Sequence, residues 1–166
     1  MIPSRIYVLD SNVFIDAARR YYAFDIAPPF WSILLNHAKD GHLQSIDRVK
    51  VELELGKDEL ARWASGSFHG QFASTEDDDV IAAYRKIMIW SQAQTQYTDA
   101  AKAEFAAVAD GWLVAYAMAK GYVIVTLEQF DPNIKRRIKI PNACEAFGVE
   151  YIDTFAMMRA LGAKLG

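Results

Sequence analysis

The stretch from Asp110 to Thr126 constrains this chain more than any other. Asp110 opens a segment to Lys120 that is apolar nearly all round, and Gly121 stops it. Tyr122-Val123-Ile124-Val125-Thr126 follows at once, an unbroken run of strand formers. A helix without a polar face has to be buried, and a strand without alternation has to be covered on both sides. Together they predict a parallel sheet with helices on both faces. Shorter copies of the signal recur along the chain. Residues 5–9 and Leu43 to Ile46 read as strands, and Val149–Ile152 as a last one followed by a helix capped by Asp153. Pro28-Pro29 starts a helix that runs from Phe30 to about Lys39 before Gly41, and further helices are expected over about 48–55 and 58–65. The stretch 65–108 shows helical spacing, with Val80, Ala83, Tyr84, Ile87 and Trp90 on one stripe. Strands alternating with helices define an α/β fold.

Length and charge narrow the function. A chain of 166 residues is one domain's worth and can bury roughly two-thirds of its unfolded surface without a disulfide. With 18 basic and 21 acidic residues the net charge is −3, which excludes a broadly basic coat for grasping nucleic acid. The only cysteine is Cys144, so no internal disulfide forms and a reducing cytoplasm is the natural compartment. No apolar run approaches the roughly 18 residues of a membrane helix, and Met1 to Arg5 lacks the layout of a signal peptide. The expected location is the cytoplasm.

Ligands of open parallel sheets bind beyond the carboxyl ends of the strands. Asp10 directly follows the first strand, and Glu128 lies two residues past Thr126. Asp110 stands at the start of the most buried helix. Each of Asp10 and Asp110 also reads as a helix cap, but one cap explains one carboxylate and not a converging set. Glu52 falls in the stripe of Val49, Leu53, Gly56 and Leu60 if 48–55 is helical. If it is a strand, Val49, Val51, Leu53 and Leu55 alternate and Glu52 faces solvent. The stop and restart at Gly56-Lys57-Asp58-Glu59 favours the helix. Four carboxylates in one pocket repel one another and stay ionised only beside cations. Hard divalent ions with oxygen ligands answer that need. A pair of glycosidase carboxylates is the competing use of acids, and a cluster of four suits metal better.

Leu9-Asp10-Ser11-Asn12-Val13-Phe14-Ile15 resembles the opening motif of the PIN-domain family, metal-dependent nucleases of three-layer α/β/α architecture. Glu52-Leu53 with Gly56 is similar to its second motif. Asp110 with Leu113-Val114-Ala115 and Ala117, then Gly121 and Val123 to Thr126, is similar to its third. The resemblance extends to Ile140-Pro141-Asn142-Ala143-Cys144 and Phe147-Gly148-Val149, within a bacterial subgroup related to VapC-like toxins of type II toxin–antitoxin pairs. It implies a single PIN-like domain over 1–166, with 65–108 as a helical elaboration. It implies a Mg²⁺- or Mn²⁺-dependent endoribonuclease, with an antitoxin partner and a homodimeric state. Asp10, Glu52, Asp110 and Glu128 carry over as catalytic metal ligands, with Asp131 as the alternative to Glu128. Asn12 and Thr126 carry over as polar residues that orient the acids.

Several features have two readings. Lys135-Arg136-Arg137 with Lys139 is either a surface for RNA phosphates or a solvated basic loop. Arg19-Arg20-Tyr21-Tyr22 offers rings for base stacking, although core packing is the commoner use of tyrosines. Glu76 to Asp79 reads as a helix start. His37, His42 and His69 have neither zinc spacing nor a pairing for acid–base cleavage, and Cys144 reads as buried. Among other functions, a phosphoryl-accepting receiver needs a lysine after a late strand, and Val125-Thr126-Leu127 supplies none. A catalytically inactive PIN-fold module that binds RNA or protein is the alternative to the nuclease.

Overall fold

Five parallel strands in the order β3-β2-β1-β4-β5 form the sheet of the computed structural model, which describes residues 5–165. They are β1 (Tyr7–Leu9), β2 (Leu43–Ile46), β3 (Phe72–Ala73), β4 (Val123–Val125) and β5 (Tyr151–Ile152). Met1 to Ser4, where the absence of a leader was read, lie outside the described residues. Successive residues of a strand point to opposite faces, and Tyr7, Val8 and Leu9 are all buried, as are Val123, Ile124 and Val125. Both faces of the central strands are therefore covered, which makes the fold the three-layer α/β/α sandwich expected from the sequence.

The connections after β1 lead outward through β2 to β3, whereas β4 returns to the other side of β1. The direction of winding thus reverses between β1 and β4, where Tyr7 pairs with Val123 and Leu9 with Val125. A crevice opens beyond the carboxyl ends of two strands at such a reversal. Asp10 and Thr126 are the residues that step out of the sheet there.

The helices are α1 (Ser11–Asp16), α2 (Pro28–Lys39), α3 (Asp47–Glu54), α4 (Glu59–Ser65), α5 (Asp78–Ala93), α6 (Asp99–Ala107), α7 (Asp110–Lys120), α8 (Ile140–Phe147) and α9 (Thr154–Ala160). The stretch 47–54 is helical, so the alternating strand reading of Val49 to Leu55 does not apply. Helix α7 buries Gly111, Leu113, Val114, Ala115, Tyr116 and Ala117 and ends at Gly121 with φ +74°, a left-handed conformation that suits glycine. Asp78 and Asp79 lie in the first turn of α5, and the Lys120 ammonium pairs with Asp77 at 3.0 Å and with Asp79 at 3.2 Å. Phe14 anchors an aromatic cluster with Trp63, Phe68 and Phe72.

A π-helical turn, Ala17–Tyr21, continues α1, closed by the Tyr22 N–H donating to the Ala17 carbonyl. The wider turn splits the two tyrosines. Tyr22 stacks on Phe30 at 4.3 Å between ring centres, while Tyr21 stays 57% exposed. The long segment 126–139 between β4 and α8 has no regular structure but is pinned at several points. Gln96 donates to the Pro132 and Ile134 carbonyls, the Thr98 N–H to Lys135, and Asn142 to Asp131. Among the described residues no helix is long and apolar enough to cross a membrane.

Candidate active site

Asp10 leaves β1 with its backbone N–H still donating to the Val125 carbonyl, so the sheet itself aims its side chain into the crevice. Its carboxylate is 2% exposed. Asp10 occupies the residue before α1, yet its side chain makes no capping bond there. It accepts instead from Thr126 Oγ1 at 3.1 Å and, more loosely, from Ser11 Oγ at 3.4 Å. Thr126 also accepts from the Glu128 N–H at 3.2 Å, joining the two strand ends through one hydroxyl.

Asp110 is the first residue of α7, and the residue before it makes no side-chain cap. Its side chain is mostly buried. Glu52, in the last turn of α3, reaches the start of the same helix, where Oε2 accepts from the Ala109 N–H at 3.3 Å. Glu128 is held at both oxygens. Oε1 accepts from the Ile140 N–H at 2.9 Å, which completes the exposed amino end of α8, and Oε2 accepts from Arg137 Nη2 at 2.5 Å. The same guanidinium lies 3.7 Å from Asp110 Oδ2.

These four acids feel one another. Burial, then the charges of Glu128 and Glu52, hold the Asp10 carboxyl up to about 7, with the Thr126 hydrogen bond acting in the opposite sense. Burial, then the charges of Asp10, Glu128 and Glu52, push Asp110 up to about 8, partly offset by Arg137. Acids from a strand end, a second strand end and two helices therefore share one electrostatic site. It favours holding protons on its two most burdened members, Asp10 and Asp110.

The other residues singled out in the sequence fall differently. Asp131 sits apart, its Oδ1 accepting from the Asn133 N–H in a local turn, so Glu128 is the acid that the fold brings to Asp10. Among the described residues no side-chain hydrogen bond joins Asn12 to these acids. Helix α1 has already begun at Ser11, which carries Asn12 round the turn, and Ser11 was the hydroxyl missed. Arg137 turns its guanidinium inward onto the acids rather than outward to phosphates. Lys135 and Arg136 are exposed, and Lys139 donates to the Gln129 carbonyl. Cys144 is buried and its thiol is pushed up to about 12. His37 and His42 pair with each other at 3.1 Å, away from this centre.

An all-oxygen donor set of this kind suits hard divalent ions such as Mg²⁺ or Mn²⁺, and the mutual repulsion of Asp10 and Asp110 is what such an ion relieves. As the side chains stand, no three His, Cys, Asp or Glu groups among the described residues form a cluster able to hold a metal ion. Arg137 supplies the physical reason, since it draws Glu128 to itself and stands beside Asp110.

A family model described as a domain of unknown function, DUF4411, matches residues 7–165. The chain is a DUF4411 protein. Comparison with curated proteins gives no significant match. Among solved structures, DUF4411 in this chain resembles FitAcB from Neisseria gonorrhoeae, with 18% identity and a TM-score of 0.54 over 89% of this chain and 96% of that one. It also resembles VapBC2 from Rickettsia felis, crystallised with a DNA fragment from their promoter. There the identity is 14% and the TM-score 0.54, over 89% of this chain and 98% of that one. At these identities the likeness is one of fold, and it agrees with the PIN-like sandwich expected from the motifs.

Proposed function

We propose that this DUF4411 chain is a divalent-metal-dependent endoribonuclease of the PIN toxin type, kept in check by an antitoxin partner. One observation carries the reading: Asp10, Glu52, Asp110 and Glu128 come from four separate segments and are coupled electrostatically at the winding reversal of the sheet. Asp10 and Asp110 would hold the ion, with Glu52 and Glu128 completing the oxygen set once Arg137 moves aside. A bound divalent ion lowers the pKa of a coordinated water and steadies the oxygens of a phosphodiester displacement. Thr126 keeps Asp10 oriented toward the crevice, and the Ala109 N–H does the same for Glu52. The antitoxin partner is supported by the two neighbours FitAcB and VapBC2, toxins solved together with their antitoxins.

Arg137 favours a second reading, an inactive PIN-fold binding module whose acids are permanently neutralised from within. Cleavage of single-stranded RNA by the purified protein separates the two, measured in Mg²⁺ or Mn²⁺, in EDTA, and with Asp10→Asn and Asp110→Asn. Cleavage that needs the ion and is lost in both variants supports the nuclease. Cleavage that survives EDTA removes the metal, and cleavage undiminished in both variants moves the centre elsewhere. No cleavage under any condition leaves the binding module.

A further inference from the structure

A cleft of about 650 Å³ opens beside the acids, beyond the carboxyl ends of β4 and β5. Its size is that of a small-ligand site. One wall is the end of α1 with its π-helical turn, another is the segment from Thr126 to Phe130, and the third is the start of α9. Thr126 and Glu128 belong both to this cleft and to the carboxylate centre, so an occupant of the cleft lies next to the acids.

The chemistry of the walls narrows the occupant. Tyr21, Phe130 and Phe155 leave 57%, 44% and 43% of their surface exposed here. The rings of Tyr21 and Phe155 meet edge to face at 6.4 Å, a geometry that a further flat group can join. Exposed rings grouped beside polar residues mark a binding surface. Asp16, Glu128 and Asp153 supply carboxylates, and no lysine or arginine lines the cleft. A phosphate is repelled by such walls. A flat, uncharged group that offers N–H donors is favoured, stacked on a ring with its edge toward a carboxylate. Arg19 and Arg20 stand exposed on the same π-helical turn as Tyr21, outside the cleft. That distribution separates a place for a base from cations available to the backbone that carries it.

We infer that this cleft is a nucleobase-binding subsite, which takes one unpaired base with an amino edge from a single strand whose backbone stays outside the cleft. The inference rests on the nuclease reading for its substrate class. The π-helical turn is the device that makes it possible, because it directs Tyr21 outward while Tyr22 remains in the core.

Binding by the full chain carrying Asp10→Asn and Asp110→Asn, which leaves the strand intact, tests this directly. The probes are short single-stranded oligoribonucleotides with 2-aminopurine at each position in turn, and the same strands made abasic there. Fluorescence quenching at one position is expected, with roughly tenfold weaker binding of the strand that is abasic at that position. Tyr21→Ala and Phe155→Ala should each weaken the base-bearing strand about tenfold and leave the abasic strand unchanged. Tyr21→Trp should retain tight binding, and melting curves that match the parent show that these exposed substitutions leave the fold intact. Equal affinity for base-bearing and abasic strands, or no effect of the alanines, overturns the inference. Displacement of a weak probe by N-acetyl-tryptophanamide without any base-dependent binding overturns it too, and makes the cleft a peptide site. Cleavage by the unaltered chain is scored separately. Base-dependent binding without cleavage sinks the nuclease reading and keeps the cleft, and cleavage without base-dependent binding does the reverse.

Discussion

Replacing Asp110 by Asn should stabilise the protein when divalent ions are absent, and more so as the pH rises. The carboxyl has an ordinary value of 3.8 and is raised to about 8 in the fold, by burial first and then by Asp10, Glu128 and Glu52. At pH 7 the unfolded chain carries it ionised, and the folded chain has to take up a proton. Over the interval from 3.8 to 7 that costs about 4 kcal/mol, at about 1.4 kcal/mol for each pH unit. Protonating either Asp10 or Asp110 relieves the other, so removing one carboxyl recovers roughly half, about 2 kcal/mol. The folded state binds more protons than the unfolded state throughout this window, so the wild-type protein loses stability as the pH rises from about 4 to about 8. For a chain of this length 2 kcal/mol corresponds to about 4–8 °C in melting temperature. Thermal melts followed by circular dichroism in EDTA, at pH 5 and pH 8, measure it. The variant should melt higher at both values, with the larger gap at pH 8. A variant that melts no higher than wild type at pH 8, or a gap that narrows with pH, refutes the electrostatic account of the site.

Adding Mn²⁺ or Mg²⁺ should raise the wild-type melting temperature more at pH 8 than at pH 6. At a hundredfold excess over Kd the gain is about 2.7 kcal/mol, and Asp10→Asn with Asp110→Asn should abolish it. Arg137→Met should cost about 1–3 kcal/mol in EDTA by urea denaturation, because Glu128 loses its counter-charge, while calorimetric titration with Mn²⁺ shows tighter binding. Phe14→Ala should cost about 3–5 kcal/mol in the same denaturation, since the ring is fully buried against Trp63, Phe68 and Phe72.

What the sequence made legible was what local pattern controls. Helix 110–120 and strand 123–125 follow from nearly unbroken apolar runs with clear stops, and Asp10 and Glu128 stand out because each follows a readable strand. Strand β3 was missed, since two residues paired to Ser45 and Ile46 leave no period to read. Helix α8 was missed for a different reason. Lys139 stands at its cap position and its amino end is completed by Glu128, twelve positions back, so Pro141 in the first turn is the one local mark of its start. Arg137 reads as one cation among neighbours until the chain is folded, when the loop brings it round to Glu128 and Asp110. Tyr21 and Tyr22 look alike in sequence, and only the π-helical turn separates one from the other.

The pins on segment 126–139 give the protein a lever. Gln96 and Thr98, in the junction between α5 and α6, hold the backbone on which Arg137 rides. The charge balance of the crevice is therefore set in part by the junction of two helices that supply none of its four acids. Replacing Gln96 removes two of those ties and so loosens the backbone that presents the guanidinium to the acids.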